Sequence, residues 1–412
     1  MAYLGGAREP GTVLAFDPAD GWVLFAPRAG LEDRVWVGDG ADHEALAVAT
    51  GLPVRPIEAL QTWLEERRSE PLAILGNPDI VRRHRAYGIE NWLALELAVD
   101  ETLSERLSEQ VAEARRAKDP GEVGLMQGAA DASLAGHLYA LRKARPGMTE
   151  RQLQVEVEAE FFRHGAERTA YGSIVGTGSN GAVLHFSPTQ RAMRDGELVL
   201  IDAGAEYEGY ASDVTRTFPA GRRFEGAQRD LYQLVLDVQQ TAIAGARPGA
   251  EYRDLHLAAC ARIADGLVSL GLLRGSAEEL VDRDAHALFF PHGLGHMLGL
   301  STHDAGGCLA GRTPSDRFGL KWLRADLPLE PGYVVTIEPG IYFIKALIDD
   351  RQRREQFADC VDWAKVDALR DFGGIRIEDD VLITESGSRT LTAALPKTMA
   401  DIEALRAEAF DR

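Results

Sequence analysis

Asp202, Asp213, His296, Glu338 and Glu378 are the residues whose types and spacing suit chemistry, because together they could hold metal ions. The two aspartates lie on one candidate hairpin. An apolar run, Leu198–Ile201, leads into Asp202; a polar, glycine-containing turn follows near 206–209; a second strand passes through Asp213. Folding about the midpoint sets Asp202 opposite Asp213 on one face. Two carboxylates side by side repel each other unless a cation or a shared proton neutralises them. The plainer alternative is that each points into solvent or caps a turn.

Three of the ten histidines fall within twelve residues, in Phe290-Pro-His292-Gly-Leu-Gly-His296-Met-Leu-Gly-Leu-Ser-Thr-His303-Asp304. The spacing of His292 and His296 suits a helical metal pair, yet Pro291, Gly293 and Gly295 argue against a helix. An extended run lets the backbone approach closely and turns the imidazoles toward a cavity. Glu338 ends a β-branched strand that Pro339 and Gly340 stop, and an alternating strand presents Arg376 and Glu378 on one face. Either glutamate could also be an ordinary edge carboxylate.

Four carboxylates and one imidazole on strands make chemical sense as a dinuclear site. Such oxygen-rich ligand sets favour hard divalent ions, Mn2+ first, with Co2+, Zn2+ or Fe2+ also able to enter. Two ions about 3.5–4 Å apart can hold a bridging hydroxide and clamp a tetrahedral intermediate. Arg376 would orient a ligand carboxylate from behind.

The chain that must position these groups has 412 residues, which suggests two domains. At 45% hydrophobic and 26% charged it reads as soluble and globular, and a net charge of −19 argues against a nucleic-acid partner. Cys260, Cys308 and Cys360 are far apart, so neither a disulfide framework nor a structural zinc site is expected. No signal peptide or membrane span is read, and a cytoplasmic location is expected.

Residues 1 to about 105 read as a small α/β domain. Thr12–Phe16 and Trp22–Ala26 suggest a hairpin, and Arg34–Val37 and Leu72–Leu75 suggest further strands, the last followed by a Gly-Asn-Pro-Asp turn at 76–79. Its expected role is structural or in oligomerisation. Residues from about 102 to 145 are helical in pattern, with Asp119-Pro120 as a helix start and Arg145-Pro146-Gly147 as a stop; Thr149–Gln152 then has capping-box form. Arg145–Leu153 is echoed by Arg247–Leu255. This is either coincidence at a helix–turn–helix boundary or an internal duplication, which naturally places a site at the junction of two halves.

The ordered set of segments resembles the creatinase/methionine-aminopeptidase superfamily (peptidase family M24), and within it the prolidases, over roughly residues 110–412. The resemblance implies an α+β chain: a pita-bread catalytic domain with internal pseudo-symmetry at 106–412, preceded by a shortened creatinase-like N-terminal domain at 1–105. It implies that Asp213 and Glu378 bridge two metal ions, with His296 and Glu338 completing one and Asp202 the other. His292 and His303 match further active-site histidines, and His185 and Tyr171 match substrate-side positions. Arg324 sits where prolidases bind the proline carboxylate, and Arg376, beside the last ligand, is also expected among the substrate-binding residues. The forty positions between Glu338 and Glu378 are also prolidase-like.

The implied activity is hydrolysis of the Xaa-Pro bond in dipeptides by a metal-bridging hydroxide. Glu338 would carry the proton, and His303 would steady the oxyanion. His292 would meet the substrate backbone or leaving group. A small peptide with proline second is the expected substrate and a homodimer the expected assembly. The alternatives are an Xaa-Pro aminopeptidase acting on longer peptides, a non-catalytic pita-bread binding protein, and hydrolysis of a small amidine.

Overall fold

The computed structural model describes residues 2–5, 11–39, 42–75, 99–309 and 311–410. The chain divides into two compact units, residues 1–111 and 112–412. No helix among the described residues is long and apolar enough to cross a membrane.

In the first unit β1 (Val13–Asp17) and β2 (Gly21–Ala26) form the expected antiparallel hairpin, with Phe16 opposite Trp22, and β3 (Val54–Pro56) runs parallel to β2. Val23 and Phe25 alternate inward against Ile57, Leu60 and Trp63. Residues 34–37 depart from the strand reading: they belong to the helix Leu31–Val37, with Arg34 N–H bonded to Gly30 O. Leu31, Val35 and Trp36 are exposed there. Strand preference is largely a packing preference, and among the described residues no strand pairs with this segment to satisfy it. Leu72 makes only an isolated bridge, to Val99. The expected turn at 76–79 lies outside the described residues.

The second unit opens with the helix Pro120–Lys143, started by Asp119 in a full capping box with Glu122 and by Pro120 in the first turn. The helix Glu150–Arg163 starts with a second capping box, Thr149 with Gln152. Helices Ala227–Gly245 and Tyr252–Ser269 repeat the arrangement. The Arg-Pro-Gly turns between the members of each pair match in detail. Gly147 and Gly249 both take left-handed backbone, φ 91° and 81°. Gly147 N–H bonds to Met193 O at 2.9 Å, and Gly249 N–H to Leu329 O at 2.8 Å. Thr149 then bridges Ala192, and Glu251 bridges Pro328. Each half thus docks the start of its second helix on the segment that leads into a site-bearing strand.

Those strands form small antiparallel sheets. After β4 (Arg168–Thr169), strand β5 (Ile174–Thr177) pairs with β6 (Leu198–Asp202). Strands β7 (Ala205–Tyr207) and β8 (Tyr210–Ala211) make the hairpin tip, and β9 (Thr215–Pro219) returns along β6. In the second half β10 (Val334–Ile337) leads on to β11 (Gly340–Tyr342), which pairs with β12 (Gly374–Arg376). β13 (Asp379–Thr384) lies between β10 and β14 (Gly387–Thr390). One continuous core joins both halves, with Ile201, Phe218, Val235, Ile263, Phe289, Val335, Ile337 and Ile377 all within it. The strand ends that carry the candidate residues are therefore anchored in a shared apolar interior, a rigid base for a polar cluster.

Candidate active site

The β6–β9 register corrects one expectation. Asp202 lies opposite Thr215, not Asp213. The polar tip is centred between Glu208 and Gly209, as the pairing of Tyr207 with Tyr210 shows, so Asp213 sits two residues before Thr215 on the same face. The two aspartates are still neighbours. Tyr171 Oη lies 2.6 Å from Asp202 Oδ1 and 2.5 Å from Asp213 Oδ1.

The glycine-rich run is extended, as its glycines suggested. Residues 294–297 lie antiparallel to β10: Glu338 N–H bonds to Leu294 O at 2.8 Å, Thr336 N–H to His296 O at 2.9 Å, and Met297 bridges Val335. A Cβ on Gly295 would come within 2.2 Å of Thr336 O and 2.4 Å of Tyr252 Oη. Only glycine allows this approach, which brings His296 beside Glu338. His296 Nε2 is 3.3 Å from Asp213 Oδ2 and 3.6 Å from Glu338 Oε1. Its Nδ1–H donates to Met297 O at 2.9 Å, leaving Nε2 to face the carboxylates.

Glu378 enters from the segment between β12 and β13. Its N–H bonds to Thr215 O at 3.1 Å, and its Oε2 accepts from the Thr215 hydroxyl at 2.6 Å. Ligand atoms of Asp213, His296 and Glu378 all lie within 4.8 Å of one another. Burial pushes the Asp213, Glu338 and Glu378 carboxyls up, and the neighbouring carboxylates add to the effect. Glu338 reaches about 7. Burial works against a charged His296, but Asp213 and Glu338 outweigh it and hold the ring at about 9. A dry cluster of acids that resist ionising, facing one imidazole nitrogen, has the donor chemistry that a divalent cation satisfies.

The acidic run Glu378-Asp379-Asp380 divides its work. Glu378 faces the cluster. Asp379 is bound by Arg216, Lys397, Gln239 and Thr392, and despite burial the two cations hold it at about 2. Asp380 accepts from the Ser212 hydroxyl at 2.7 Å and from the Asp213 N–H at 3.1 Å, fixing the backbone that presents Asp213.

Arg376 is buried behind Asp202, which corrects the expectation that it faces substrate. Its Nη2 is 2.6 Å from Asp202 Oδ2, its Nε donates to Thr215 Oγ1 at 3.0 Å, and its Nη1 donates to Tyr342 Oη at 2.8 Å. The Tyr342 hydroxyl in turn meets His292 Nε2 at 2.9 Å, and His292 Nδ1–H donates to Gly293 O at 2.8 Å. Both ring nitrogens of His292 are thereby engaged. Burial, then the Arg376 charge, drives its pKa down to about 3, so the ring is neutral.

His303 stacks edge-to-face on His296, with ring centroids 4.4 Å apart. Desolvation of its inner face and the charge of His296 lower it to about 4. His185 and Arg324 are exposed; each contributes charge that depresses His303. Arg324 makes no ion pair among the described residues. The structure thus gathers Asp202, Asp213, His296, Glu338, Glu378, Tyr171, Arg376 and His292, sets His303 against them, and leaves His185 and Arg324 at the exposed edge. Sequence reasoning missed Thr215, Tyr342 and Asp380. Thr215 and Tyr342 are each two residues from a position it did weigh, Asp213 and Gly340, and strand alternation is the signal that could have found them.

A family model described as metallopeptidase family M24 matches residues 124–385. An Xaa-Pro aminopeptidase of Escherichia coli (strain K12) is 42% identical over 295 residues, 72% of this chain; the match spans 60% of that protein's length. A probable Xaa-Pro aminopeptidase of Coccidioides posadasii (strain C735) is 34% identical over 417 residues, covering 97% of this chain and 85% of the relative. Among solved structures, the Pseudomonas aeruginosa aminopeptidase PepP is similar with a TM-score of 0.82 and 34% identity, covering 100% of this chain and 89% of that one. Zinc-substituted E. coli aminopeptidase P in complex with product is similar with a TM-score of 0.80 and 34% identity, covering 99% and 88%.

Proposed function

We propose, from the premise that this chain belongs to metallopeptidase family M24 and has its pita-bread, α+β fold, that it removes the first residue from peptides whose second residue is proline. The relatives reported above are named Xaa-Pro aminopeptidases, which supports the aminopeptidase reading over the dipeptidase reading placed first from the sequence. The observation that carries a hydrolytic role is the buried convergence of Asp213, His296 and Glu378, with Glu338 and Asp202 beside them.

Asp202, Asp213, His296, Glu338 and Glu378 would hold two divalent ions, Mn2+ by preference, with Co2+, Zn2+ or Fe2+ as substitutes. Bound there, such ions supply Lewis acidity that acidifies water and polarises the scissile carbonyl. The chain's own groups do the rest. Glu338, beside His296 and partly open to the site, would carry the proton toward the leaving prolyl nitrogen. His303 is neutral and can donate N–H to a developing oxyanion. His292, with both nitrogens tied, would act as a fixed neutral wall joined through Tyr342 to Arg376. Arg376 would hold Asp202 in its rotamer. Tyr171 and His185 would meet the peptide. A homodimer and a cytoplasmic setting remain part of the proposal, the first to be checked by light scattering.

A second reading, cleavage of Xaa-Pro dipeptides, is favoured by the exposed Arg324, which is free to pair with a proline carboxylate that only a dipeptide offers at that position. Turnover of Ala-Pro-Ala and Ala-Pro by Mn2+-loaded protein separates the two. Faster cleavage of the tripeptide supports the aminopeptidase; preference for Ala-Pro transfers the assignment to a dipeptidase; no release of alanine from either overturns both.

A further inference from the structure

We propose that Asp304, gripped by Lys118 and Arg115, is the positioning residue that holds the His303 imidazole over His296. Asp304 follows His303 directly, and its side chain is 1% exposed, as is that of Lys118. Lys118 Nζ lies 3.2 Å from Asp304 Oδ2, and Arg115 Nη2 pairs with Oδ1, so each carboxylate oxygen has its own cation. Lys118 Nζ also donates to Arg116 O at 3.2 Å. An ammonium and a carboxylate withdrawn this far from water are costly to bury, and breaking such a pair is costlier still. Their cost is offset only if both ends are fixed, and here they are.

The grip reaches the whole His303 loop. Arg116 Nε donates to Gly306 O at 2.9 Å and its Nη2 to Cys308 O at 3.3 Å. Lys118 N–H bonds to Gly332 O at 2.8 Å, and Ala117 bridges Tyr333, just ahead of the strand that delivers Glu338. Asp304 N–H returns to Met297 O at 2.9 Å, closing the loop from His296 to His303. The loop is shaped around the ion pair: a Cβ on Gly299 would come within 2.3 Å of Asp304 Oδ2 and 2.9 Å of Lys118 Cε. Segment 115–118 therefore staples the two stretches that bring His303 and Glu338 into the site. Among the described residues the exposed His303 ring has no hydrogen bond or ion pair of its own, so its place over His296 is inherited from its neighbour.

The kinetic half of the test rests on the peptidase reading; the spectroscopic half does not. The variant Asp304→Asn with Lys118→Met removes the two most deeply buried charges together and leaves only Arg115, which is 21% exposed, facing the asparagine side chain, so it is the one to make. Lys118→Met alone, with Arg115 still on Asp304, is the milder companion. In zinc-loaded protein labelled with 15N-histidine, the His303 ring signals, assigned by their loss in His303→Ala, should shift or broaden in the double variant while those of exposed His164 stay in place. With an Xaa-Pro tripeptide, kcat should fall by about 10- to 100-fold with KM nearly unchanged, and the loss should vanish when the same changes are made in the His303→Ala background. Unmoved His303 signals overturn the inference, as do kinetic losses that simply multiply with His303→Ala. Wild-type protein without peptidase activity would end the proposed function and leave the ring signals to decide this one.

Discussion

Arg376 Nη2 lies 2.6 Å from Asp202 Oδ2, both side chains largely withdrawn from solvent. The same guanidinium also donates to Thr215 and Tyr342, so a single cation aligns one aspartate and, through Thr215, Glu378. Arg376→Lys keeps the charge and loses the fork. It should weaken metal binding by about 10- to 100-fold, measured by competition with a chelating dye. Unchanged affinity would show that Asp202 needs no support.

Tyr342→Phe isolates the next link. The hydroxyl donates to His292 Nε2 and thereby favours the neutral ring. Burial remains the largest cause of the depressed pKa, so removing the hydroxyl should raise it from about 3 by roughly one unit, the worth of one hydrogen bond. Titration of the ring by NMR reads this directly.

Chelation should unmask the buried acids. Without a cation the folded pKa of Glu338 is raised to about 7 from 4.5. A carboxyl raised in the folded state contributes stability that is intact below pH 4.5 and is lost as pH rises through about 7. Glu338 alone accounts for roughly 3 kcal/mol across that window, and Asp213 and Glu378 act in the same direction. The drop in Tm caused by EDTA should therefore be larger at pH 8 than at pH 5. An equal drop at both would mean the cluster is not a cation site.

Two structural histidines give the opposite slope. His137 Nε2–H donates to Ala203 O and His256 Nε2–H to Gly319 O, and burial lowers each to about 4 from 6.5. Each is held neutral in the fold, so stability falls as pH drops from 6.5 toward 4, by roughly 3 kcal/mol per ring. Urea unfolding of metal-loaded protein at pH 7 and pH 5 should show it. His256→Gln should flatten the slope by about half of the pair's share.

Gly295→Ala should abolish metal binding with far less loss of helix content, because its Cβ would strike Thr336 O on β10, the strand that leads directly into Glu338. Metal analysis beside circular dichroism checks the split.

Much of this was readable in the residues. Strand ends that stop at Asp202 and at Glu338-Pro339 announce themselves, as do the helix start at Asp119-Pro120 and the capping box at Thr149, because short-range chemistry writes them. The register of Asp202 against Thr215 was not legible, since it depends on where a tip turns, and one residue of shift in that centre moves every pairing by two. Thr215, Tyr342 and Asp380 were hidden for a related reason: their partners lie 163, 34 and 167 residues away in the chain. The helix at Leu31–Val37 shows the limit of local preference where no strand among the described residues pairs with the segment. Dipeptide against longer peptide turns on exposed groups such as Arg324, which no core pattern constrains.

The matched turns at Gly147 and Gly249 bear on how the proposed site is assembled. One half offers Asp202 and Asp213, the other His296, Glu338 and Glu378, so neither fragment alone carries all five candidate ligands. If these five residues act as proposed, competence arises at the seam, and a lesion that loosens the contact between the halves should lower turnover even where each half keeps its own fold.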